Sequence, residues 1–373
     1  MDAFRPVWAE IDLEAIRANV RTLRNVVAPA ALCAVVKADG YGHGAVAVSK
    51  AAMQAGADCL AVALVEEGVQ LRAGEIDAPV LVLSEPVPAA AETVVAHRLT
   101  PLVYTATGID ALAKAVRSYG VHEPLEVHLK VDTGMHRVGC APEDAVDLAA
   151  QVVDRGELRL AGVCTHFAVA DEPTNEYSGT QQHVFEAVLA GIRARGLPTG
   201  VVHACNTAGA IAMPGARYDM VRIGIGVYGL APSPALAGAV DLVPAMAVKA
   251  RVSHVQSLPA GARLSYGLRY ETTRPTRIAT VPIGYADGVP RELSHHGGEV
   301  LIGGHRCPIA GTVTMDQLMV DVDDGAVDVG DEVVLIGRQG DEQIGADEWA
   351  ERMDTISYTI VCGVGPRVPR RYL

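Results

Sequence analysis

The segment LCAVVKADGYGHG, residues 32–44, is an apolar run of strand length that ends at Lys37 and leads into a glycine-rich loop. Further short apolar runs, bounded by turn residues, predict more strands along the chain. Helix-like stretches such as residues 145–153 and 183–192 separate most of these runs, and an amphipathic helix is predicted before them at residues 12–27. The predicted strands are residues 32–36, 59–65, 80–83, 101–104, 125–131, 160–165, 201–205 and 220–225.

The alternation of apolar strands and helices predicts a parallel sheet that helices cover on both faces. Eight such units within about 220 residues predict closure into a (β/α)8 TIM-type barrel, and a doubly wound open sheet is the alternative. Barrel enzymes place their active sites at the carboxyl ends of the strands. We therefore expect the candidate functional residues to follow the apolar runs.

A different pattern begins after residue 240, because apolar and polar residues alternate over residues 248–253, as they do in half-buried strands. Residues 346–353 form the one later stretch for which we predict a helix. We therefore predict a barrel over residues 12–240 and a mainly antiparallel β domain over residues 241–373, with residues 1–11 as a candidate addition to it. Other short β-like runs lie at residues 278–281, 299–301, 318–322 and 332–335.

Composition excludes several classes of protein. No apolar run approaches the roughly 18 residues that a membrane span requires, and the first residues lack the features of a secretory signal. We therefore expect a cytoplasmic protein without a membrane partner. The net charge of −13 disfavours binding to nucleic acid. The seven cysteines show no Cys-x-x-Cys spacing, so we expect reduced thiols and no metal site.

Lys37 is the most informative single residue in the barrel region. Lysine is rarely buried without a partner, so a lysine at the mouth of a buried strand either extends to solvent or takes part in chemistry. Burial lowers the pKa of an amine, and a low pKa favours formation of a Schiff base with a carbonyl compound. The position of Lys37 is compatible with both interpretations.

Two glycine-containing segments predict a phosphate site. Barrels commonly bind phosphate with backbone amides after strands seven and eight, where glycine permits close approach. Asn206 and Thr207 end the seventh predicted strand, and Gly224 and Ile225 end the eighth. A tight turn would have the same composition. A phosphate site and a lysine on one face of a barrel together favour a pyridoxal phosphate cofactor.

Polar residues also follow the fifth and sixth predicted strands, where Lys130, Arg137 and His166 stand. The planar guanidinium of Arg137 suits a substrate carboxylate, although an exposed surface arginine is the simpler interpretation. His166 is either a hydrogen-bonded core histidine or, at the catalytic rim, a functional one. The β domain contributes turns around Tyr266, Tyr285 and Met315 that are individually ordinary.

With these motifs in this order, the chain resembles the alanine racemases from end to end. Residues 34–44 resemble the pyridoxal phosphate signature of that family, and Lys37 falls where its Schiff-base lysine lies. Thr207, Thr312 and Thr359 depart from the usual residues of the family, which are Ser, Arg and Glu. Other matching segments are residues 130–139, 165–168, 206–207, 222–229, 265–267, 284–288, 315–316 and 357–358.

The resemblance implies an isomerase that interconverts L- and D-alanine and supplies D-alanine for peptidoglycan. Lys37 and Tyr266 would be the two opposed acid/base groups, and Tyr266 would reach the site from the partner subunit of a homodimer. Arg137 and Met315 would address the substrate, and in many members the lysine that matches Lys130 is carbamylated. The implied contacts of the pyridoxal 5'-phosphate are Lys37, Tyr41, His166, Asn206, Thr207, Arg222, Gly224, Ile225 and Tyr358.

Three alternative functions remain open at this stage. A barrel-type amino-acid decarboxylase would share the lysine on the first strand but would not explain residues 265–267 and 315–316. A non-catalytic pyridoxal phosphate carrier would resemble the barrel alone. A racemase of broader specificity is compatible with every motif, because the size of the pocket depends on side chains that the sequence does not place.

Overall fold

The computed structural model describes residues 4–120 and 123–373. The chain divides into two compact units. The barrel unit comprises residues 14–40 and 45–243, and the sheet unit comprises residues 4–13, 41–44 and 244–373. Residues 1–3, which belong to the predicted N-terminal addition to the β domain, lie outside the described residues. The first strand of the sheet unit is β1 (Val7–Ile11).

The barrel unit contains eight parallel strands in the order β8-β7-β6-β5-β4-β3-β2-β9. The two ends of this order are joined by hydrogen bonds from the amide of Asp219 to the carbonyl of Val202 and from the amide of Arg222 to the carbonyl of Cys205, both 3.0 Å long. The nearly closed barrel confirms the predicted fold class against an open sheet. The strands are β2 (Ala31–Val35), β3 (Cys59–Val62), β4 (Val80–Val82), β5 (Thr100–Val103), β6 (Leu125–Lys130), β7 (Leu158–Cys164), β8 (Val201–His203) and β9 (Met220–Ile223).

Amphipathic helices follow the strands and pack their apolar sides inward. In the first of them Ile16, Val20 and Leu23 are fully buried, as their three- and four-residue spacing predicts. Thr105 and Gly120 mark the two ends of another helix, because the Thr105 hydroxyl accepts the amide of Gly108 and Gly120 adopts a left-handed conformation. The helices are α1 (Leu13–Val27), α2 (Ala45–Gln54), α3 (Val65–Ala73), α4 (Ala91–Ala96), α5 (Ala106–Tyr119), α6 (Ala145–Asp154), α7 (Tyr177–Ala194) and α8 (Thr207–Ala212).

The sheet unit is built mainly from antiparallel strands, as predicted. A seven-stranded sheet has the order β16-β15-β18-β10-β1-β20, with β19 paired to β18, and only its β1–β20 pair is parallel among the described strands. A three-stranded sheet has the order β11-β14-β17, and β12 and β13 form a hairpin. The strands are β10 (Met246–Arg251), β11 (His254–Leu258), β12 (Arg263–Leu264), β13 (Tyr270–Glu271), β14 (Thr276–Val281), β15 (Glu299–Ile302), β16 (His305–Pro308), β17 (Leu318–Asp321), β18 (Glu332–Gln339), β19 (Glu342–Ile344) and β20 (Arg370–Tyr372).

The prediction of a single late helix was wrong. The described sheet unit contains α9 (Ala346–Arg352) and a second helix, α10 (Ser357–Gly363). The sequence of α10, SYTIVCG, contains β-branched residues and no side-chain hydrogen bond caps its start, so it lacks the usual signals of a helix. Among the described residues, no helix has the length and apolar character needed to cross a membrane.

Candidate active site

Lys37 lies directly beyond the carboxyl end of β2 and opens a short left-handed turn, Lys37–Tyr41. Ala38, Asp39 and Gly40 have φ angles of 52°, 51° and 61°. Residues with a Cβ atom disfavour this conformation, so it persists only where other contacts impose it. The carboxylate of Asp39 supplies one such contact by accepting the amide of Ala45 at 2.9 Å. The turn that begins at the half-buried Lys37 is thereby held at the rim of the barrel.

Glu67 of α3, the helix that follows the adjacent strand β3, holds the same turn. Its carboxylate accepts the amide of Ala38 at 2.6 Å, and its second oxygen accepts the amides of Ala63 and Leu64 at 2.8 and 3.1 Å. A carboxylate that binds several backbone amides restrains them strongly. Glu67 was not recognisable from the sequence, because a glutamate in the first turn of a helix is common and its link to Ala38 exists only in three dimensions.

Arg222 of β9 is the centre of a buried hydrogen-bond network. One terminal nitrogen of its guanidinium lies 2.6 Å from Nδ1 of His203, and the other lies 3.1 Å from Nδ1 of His166. The second nitrogen also donates to the carbonyls of Thr165 and Ala204, at 2.9 and 2.7 Å. The barrel thus brings together the predicted pair Arg222 and His166 and adds His203, which the sequence analysis missed.

The geometry of this network assigns the tautomers of three histidines. Arginine can only donate, so Nδ1 of His166 and Nδ1 of His203 must accept, and each ring carries its proton on Nε2. Nε2 of His203 lies 2.8 Å from Nδ1 of His128 and donates to it. One permanently charged guanidinium therefore fixes the proton positions of a chain of imidazoles and leaves Nε2–H of His166 as a donor.

The histidines of this network are held neutral. Burial lowers the pKa of His128 to about 4, with a further contribution from the charge of Arg222. Burial and Arg222 also lower the pKa of His166 and of His203 well below the usual range. Removing a charged imidazole from water is costly, and a nearby cation increases the cost. The network therefore carries one positive charge, located on Arg222, at neutral pH.

Lys130 and Arg137 lie within electrostatic reach of the same network. After burial and Arg222, the charges of Lys130, Arg137 and Lys37 lower the pKa of His166 further. Lys130 is itself buried, and burial lowers its pKa to about 8. Arg137 is exposed in the single chain. The carboxyl ends of the barrel strands thus gather four cationic side chains around His166, with Arg222 included.

The predicted phosphate segments form a compact cradle. The amide of Gly224 donates to the Thr207 hydroxyl at 2.9 Å, and the side chain of Asn206 caps α8 by accepting the amide of Gly209 at 2.9 Å. Ile225 begins a 3₁₀ turn, Ile225–Tyr228. The first amides of a helical turn have no partner within it and can bind an anion. The amides at the starts of two helical turns and the Thr207 hydroxyl lie together, and such hydrogen-bond donors are the kind that a phosphate monoester requires.

Two further predicted contacts lie in the sheet unit. The rings of Tyr41 and Tyr358 stand 6.0 Å apart at an angle of 49°, and burial raises the pKa of Tyr41. Gly42 adjoins them, and a Cβ atom there would lie 2.3 Å from the carbonyl oxygen of Val361. The segment around Gly42 therefore requires glycine in order to approach α10, which carries Tyr358.

Tyr266 and Met315 also belong to the sheet unit, and both are exposed in the single chain, at 72% and 51%. The Met315 carbonyl accepts the amide of Ala286 at 3.1 Å, so the turn that contains Met315 is joined to the turn Tyr285–Asp287. Both side chains are thus accessible on the surface of the sheet unit. A cavity of about 380 Å³ beside them is lined by Ser265, Tyr266, Thr280, Thr314, Gln317 and Met319.

Comparison with known proteins gives a consistent result over the whole chain. Residues 11–232 match the profile of the alanine racemase N-terminal domain, and residues 245–372 match that of the C-terminal domain. The alanine racemase of Symbiobacterium thermophilum is 51% identical over 373 residues, which cover 100% of this chain and 98% of that protein.

Solved structures agree with the sequence comparison. The alanine racemase of Streptomyces coelicolor A3(2) superposes with a TM-score of 0.95 at 38% identity, over 100% of this chain and 99% of that chain. The alanine racemase of the D-cycloserine producer Streptomyces lavendulae gives a TM-score of 0.94 at 38% identity, over 100% and 98%. The similarity therefore extends over both domains.

Proposed function

The chain belongs to the alanine racemase family, and on that premise we propose that it interconverts L-alanine and D-alanine. The observation that carries the proposal is the neutral histidine network around Arg222, located at the same end of the barrel as Lys37. Such a site needs a base on each face of the substrate, because the α-proton leaves one face and a proton returns to the other. We further propose that the product serves peptidoglycan synthesis.

Pyridoxal 5'-phosphate is the proposed cofactor, and when bound it delocalises the negative charge that is left by loss of the α-proton. The hydroxyl of Thr207 and the amide of Ile225 would hold its phosphate, next to Asn206, and the amide of Gly224 would join them by exchanging its bond to Thr207 for one to the phosphate. Tyr41 and Tyr358 are the proposed phosphate contacts of the sheet unit. The donor set described above fits a phosphate monoester.

Arg222 and His166 would bind the aromatic ring of the cofactor. The guanidinium of Arg222 keeps its charge at physiological pH, so it opposes protonation of a pyridine nitrogen placed against it. His166 would stack near the ring while its Nδ1 accepts from Arg222. Arg222 would thereby reduce the negative charge that a bound cofactor could take up, and this would favour prompt return of a proton to the substrate over side reactions.

Lys37 and Tyr266 are the proposed bases on opposite faces. Tyrosine has an ordinary pKa of about 10, so its phenolate needs stabilisation to act near neutral pH. The Nε2–H of His166 is a donor of the required kind, and Arg222 fixes its position. Arg137 and the backbone at Met315 would bind the substrate carboxylate or Tyr266 itself.

We propose that two copies of the chain share their active sites, with Tyr266 and Met315 supplied by the partner. Their exposure in the single chain supports this, since a base must lose contact with bulk water to act on a bound substrate. Of the remaining sequence expectations, the domain boundary after residue 240 and the cytoplasmic location stay predictions.

Complementation between two inactive variants tests the shared site. Lys37→Ala and Tyr266→Phe homodimers should each be inactive, and mixing them should restore part of the activity, because one site of each heterodimer contains both bases. Subunit exchange should be verified independently with tagged chains. If exchange occurs and no activity returns, both bases come from one chain.

The position of the cofactor and the substrate range need separate tests. Borohydride treatment of the cofactor-loaded enzyme followed by peptide mapping should place the label on Lys37, and a label on Lys130 would refute this assignment. A panel of L-amino acids with chiral analysis of the products should yield D-alanine far in excess of other D-enantiomers. Equal rates with serine or basic amino acids would indicate a broader racemase.

A further inference from the structure

The hairpin that carries Tyr266 contains unusual backbone conformations. Ser265 has φ 62° and ψ −175°, a region that is populated almost only by glycine, and Leu268 has φ 50°. Both residues carry side chains and both lie within two positions of Tyr266. A strained loop of this kind relaxes unless its surroundings hold it. The contacts that hold Ser265 therefore also determine where Tyr266 stands.

Thr312 makes a reciprocal pair of hydrogen bonds with this loop. The hydroxyl of Ser265 donates to the carbonyl of Thr312 at 2.6 Å, and the hydroxyl of Thr312 donates to the carbonyl of Tyr266 at 2.9 Å. Thr312 is only 1% exposed, so water does not readily replace either bond. One bond lies on each side of the peptide unit that joins Ser265 to Tyr266. This peptide unit is the point at which the backbone of the loop is strained.

The surroundings of Thr312 are rigid. Gly311 has φ 78°, and a Cβ atom there would lie 2.8 Å from Cβ of Ser265, so only glycine allows the two segments to lie this close. The strand before the loop is anchored because Leu264 is buried in a cluster with Ile278 and Ala310. Thr312 is therefore a fixed point to which the loop that carries Tyr266 is attached.

His295 completes the arrangement from the other side of the hydroxyl. Its Nε2 lies 3.3 Å from Oγ1 of Thr312. Its Nδ1 lies 2.8 Å from a carboxylate oxygen of Glu292, which holds the ring in this orientation. The Thr312 hydroxyl thus contacts the Tyr266 carbonyl and the His295 ring, and its rotation is restricted.

We propose that Thr312 is a positioning residue for Tyr266 and that it acts by holding the strained Ser265–Tyr266 peptide unit. The proposal rests on the proposed role of Tyr266 as one of the two bases. Loss of the Thr312 hydroxyl should release the loop and displace Tyr266 while the barrel, with Lys37, is unaffected. Proton exchange on the face served by Tyr266 should then fall selectively.

The test compares three variants of the cofactor-loaded enzyme. Thr312→Val removes the hydroxyl and keeps the shape, whereas Thr312→Ser keeps the hydroxyl. Thr272→Val is the matched control, because Thr272 is a buried threonine at the base of the same hairpin that also donates to a backbone carbonyl, that of Pro259 at 2.7 Å. Two readouts are measured: amide hydrogen exchange of residues 263–271, and exchange of the α-hydrogen of L- and of D-alanine in deuterated water.

We expect Thr312→Val to speed amide exchange at Leu268, whose amide donates to the carbonyl of Ser265, by about fivefold, the factor that corresponds to one typical hydrogen bond. It should slow α-hydrogen exchange with L-alanine by a similar factor and leave exchange with D-alanine unchanged. Thr312→Ser should behave like the wild type in both readouts, and Thr272→Val should show no difference between the enantiomers.

The two readouts separate the possible failures. Unchanged amide exchange at Leu268, or an equal loss with both enantiomers, would overturn the positioning role of Thr312. Tyr266→Phe is measured in parallel, and it should block exchange mainly with L-alanine. If it does not, the proposed function of Tyr266 fails, and the amide exchange still decides whether Thr312 fixes the loop.

Discussion

Acidification should destabilise the barrel through His128, and the size of the effect follows from its burial. The pKa of His128 falls from 6.5 to about 4 because the ring is buried and Arg222 is near. A histidine with a lowered pKa contributes its full stabilisation above pH 6.5, and this is lost progressively as the pH falls toward 4, since the unfolded chain binds the proton more readily.

The complete loss corresponds to about 3 kcal/mol, at roughly 1.4 kcal/mol per pKa unit. Between about pH 8 and pH 5, protonation linked to His128 lowers the free energy of unfolding by about 2 kcal/mol. For a domain of the size of the barrel, this lowers the midpoint of thermal unfolding by about 4 to 8 °C. His166 and His203 act in the same direction, because their pKa values are lowered as well.

The variant His128→Asn isolates the contribution of His128 to this loss of stability. The amide oxygen of asparagine can accept from Nε2 of His203 as Nδ1 of His128 does, and it does not titrate. Unfolding midpoints of the wild type and the variant should be measured at several pH values at constant ionic strength. Between about pH 8 and pH 5, the unfolding midpoint of the variant should fall by about 4 to 8 °C less than that of the wild type. Equal losses would show that His128 is not held neutral by burial.

Three other perturbations give distinct outcomes. Arg222→Glu should slow racemisation about 100-fold and raise long-wavelength absorbance or transamination, and an unchanged rate would limit Arg222 to packing. Isotope-labelled bicarbonate should give a carbamate signal that Lys130→Ala lacks, because the lowered pKa of Lys130, about 8, leaves part of the amine neutral and able to react with CO₂. Arg306→Met should cost about 2 kcal/mol of stability, since Arg306 pairs with Glu299, Glu342 and Glu348 within 3.1 Å. Arg263→Met, which breaks an exposed pair with Glu271, should cost less than about 0.5 kcal/mol, and equal costs would contradict the network.

The architecture was largely predictable because it rests on local patterns. Short apolar runs alternating with amphipathic helices are determined by neighbours along the chain, and they gave the barrel correctly. Strand β1 was not recognised as a strand, because its partners β10 and β20 lie at the other end of the chain. Helix α10 was missed for a related reason, since packing overrides the weak helical preference of its β-branched residues.

The candidate site was predictable only in part. Lys37 was visible because a charge at the end of an apolar strand is unusual, whereas Tyr266 was identified by resemblance alone. Glu67, His128 and His203 were missed because their significance lies in hydrogen bonds between separate strands and helices. Such bonds leave no spacing or composition that a single sequence reveals.

The place of β1 in the middle of a sheet has a consequence for synthesis of the chain. Its neighbours are β10, where Ile11 pairs with Met246, and β20, which ends one residue before the last. At about 5 to 20 residues per second, translation delays β10 behind β1 by roughly 10 to 50 seconds. During that time an apolar strand with two open edges is available to other chains. Strand β1 is thus made long before its partners, and we expect chaperones on the nascent chain to engage residues 7–11 until the sheet is complete.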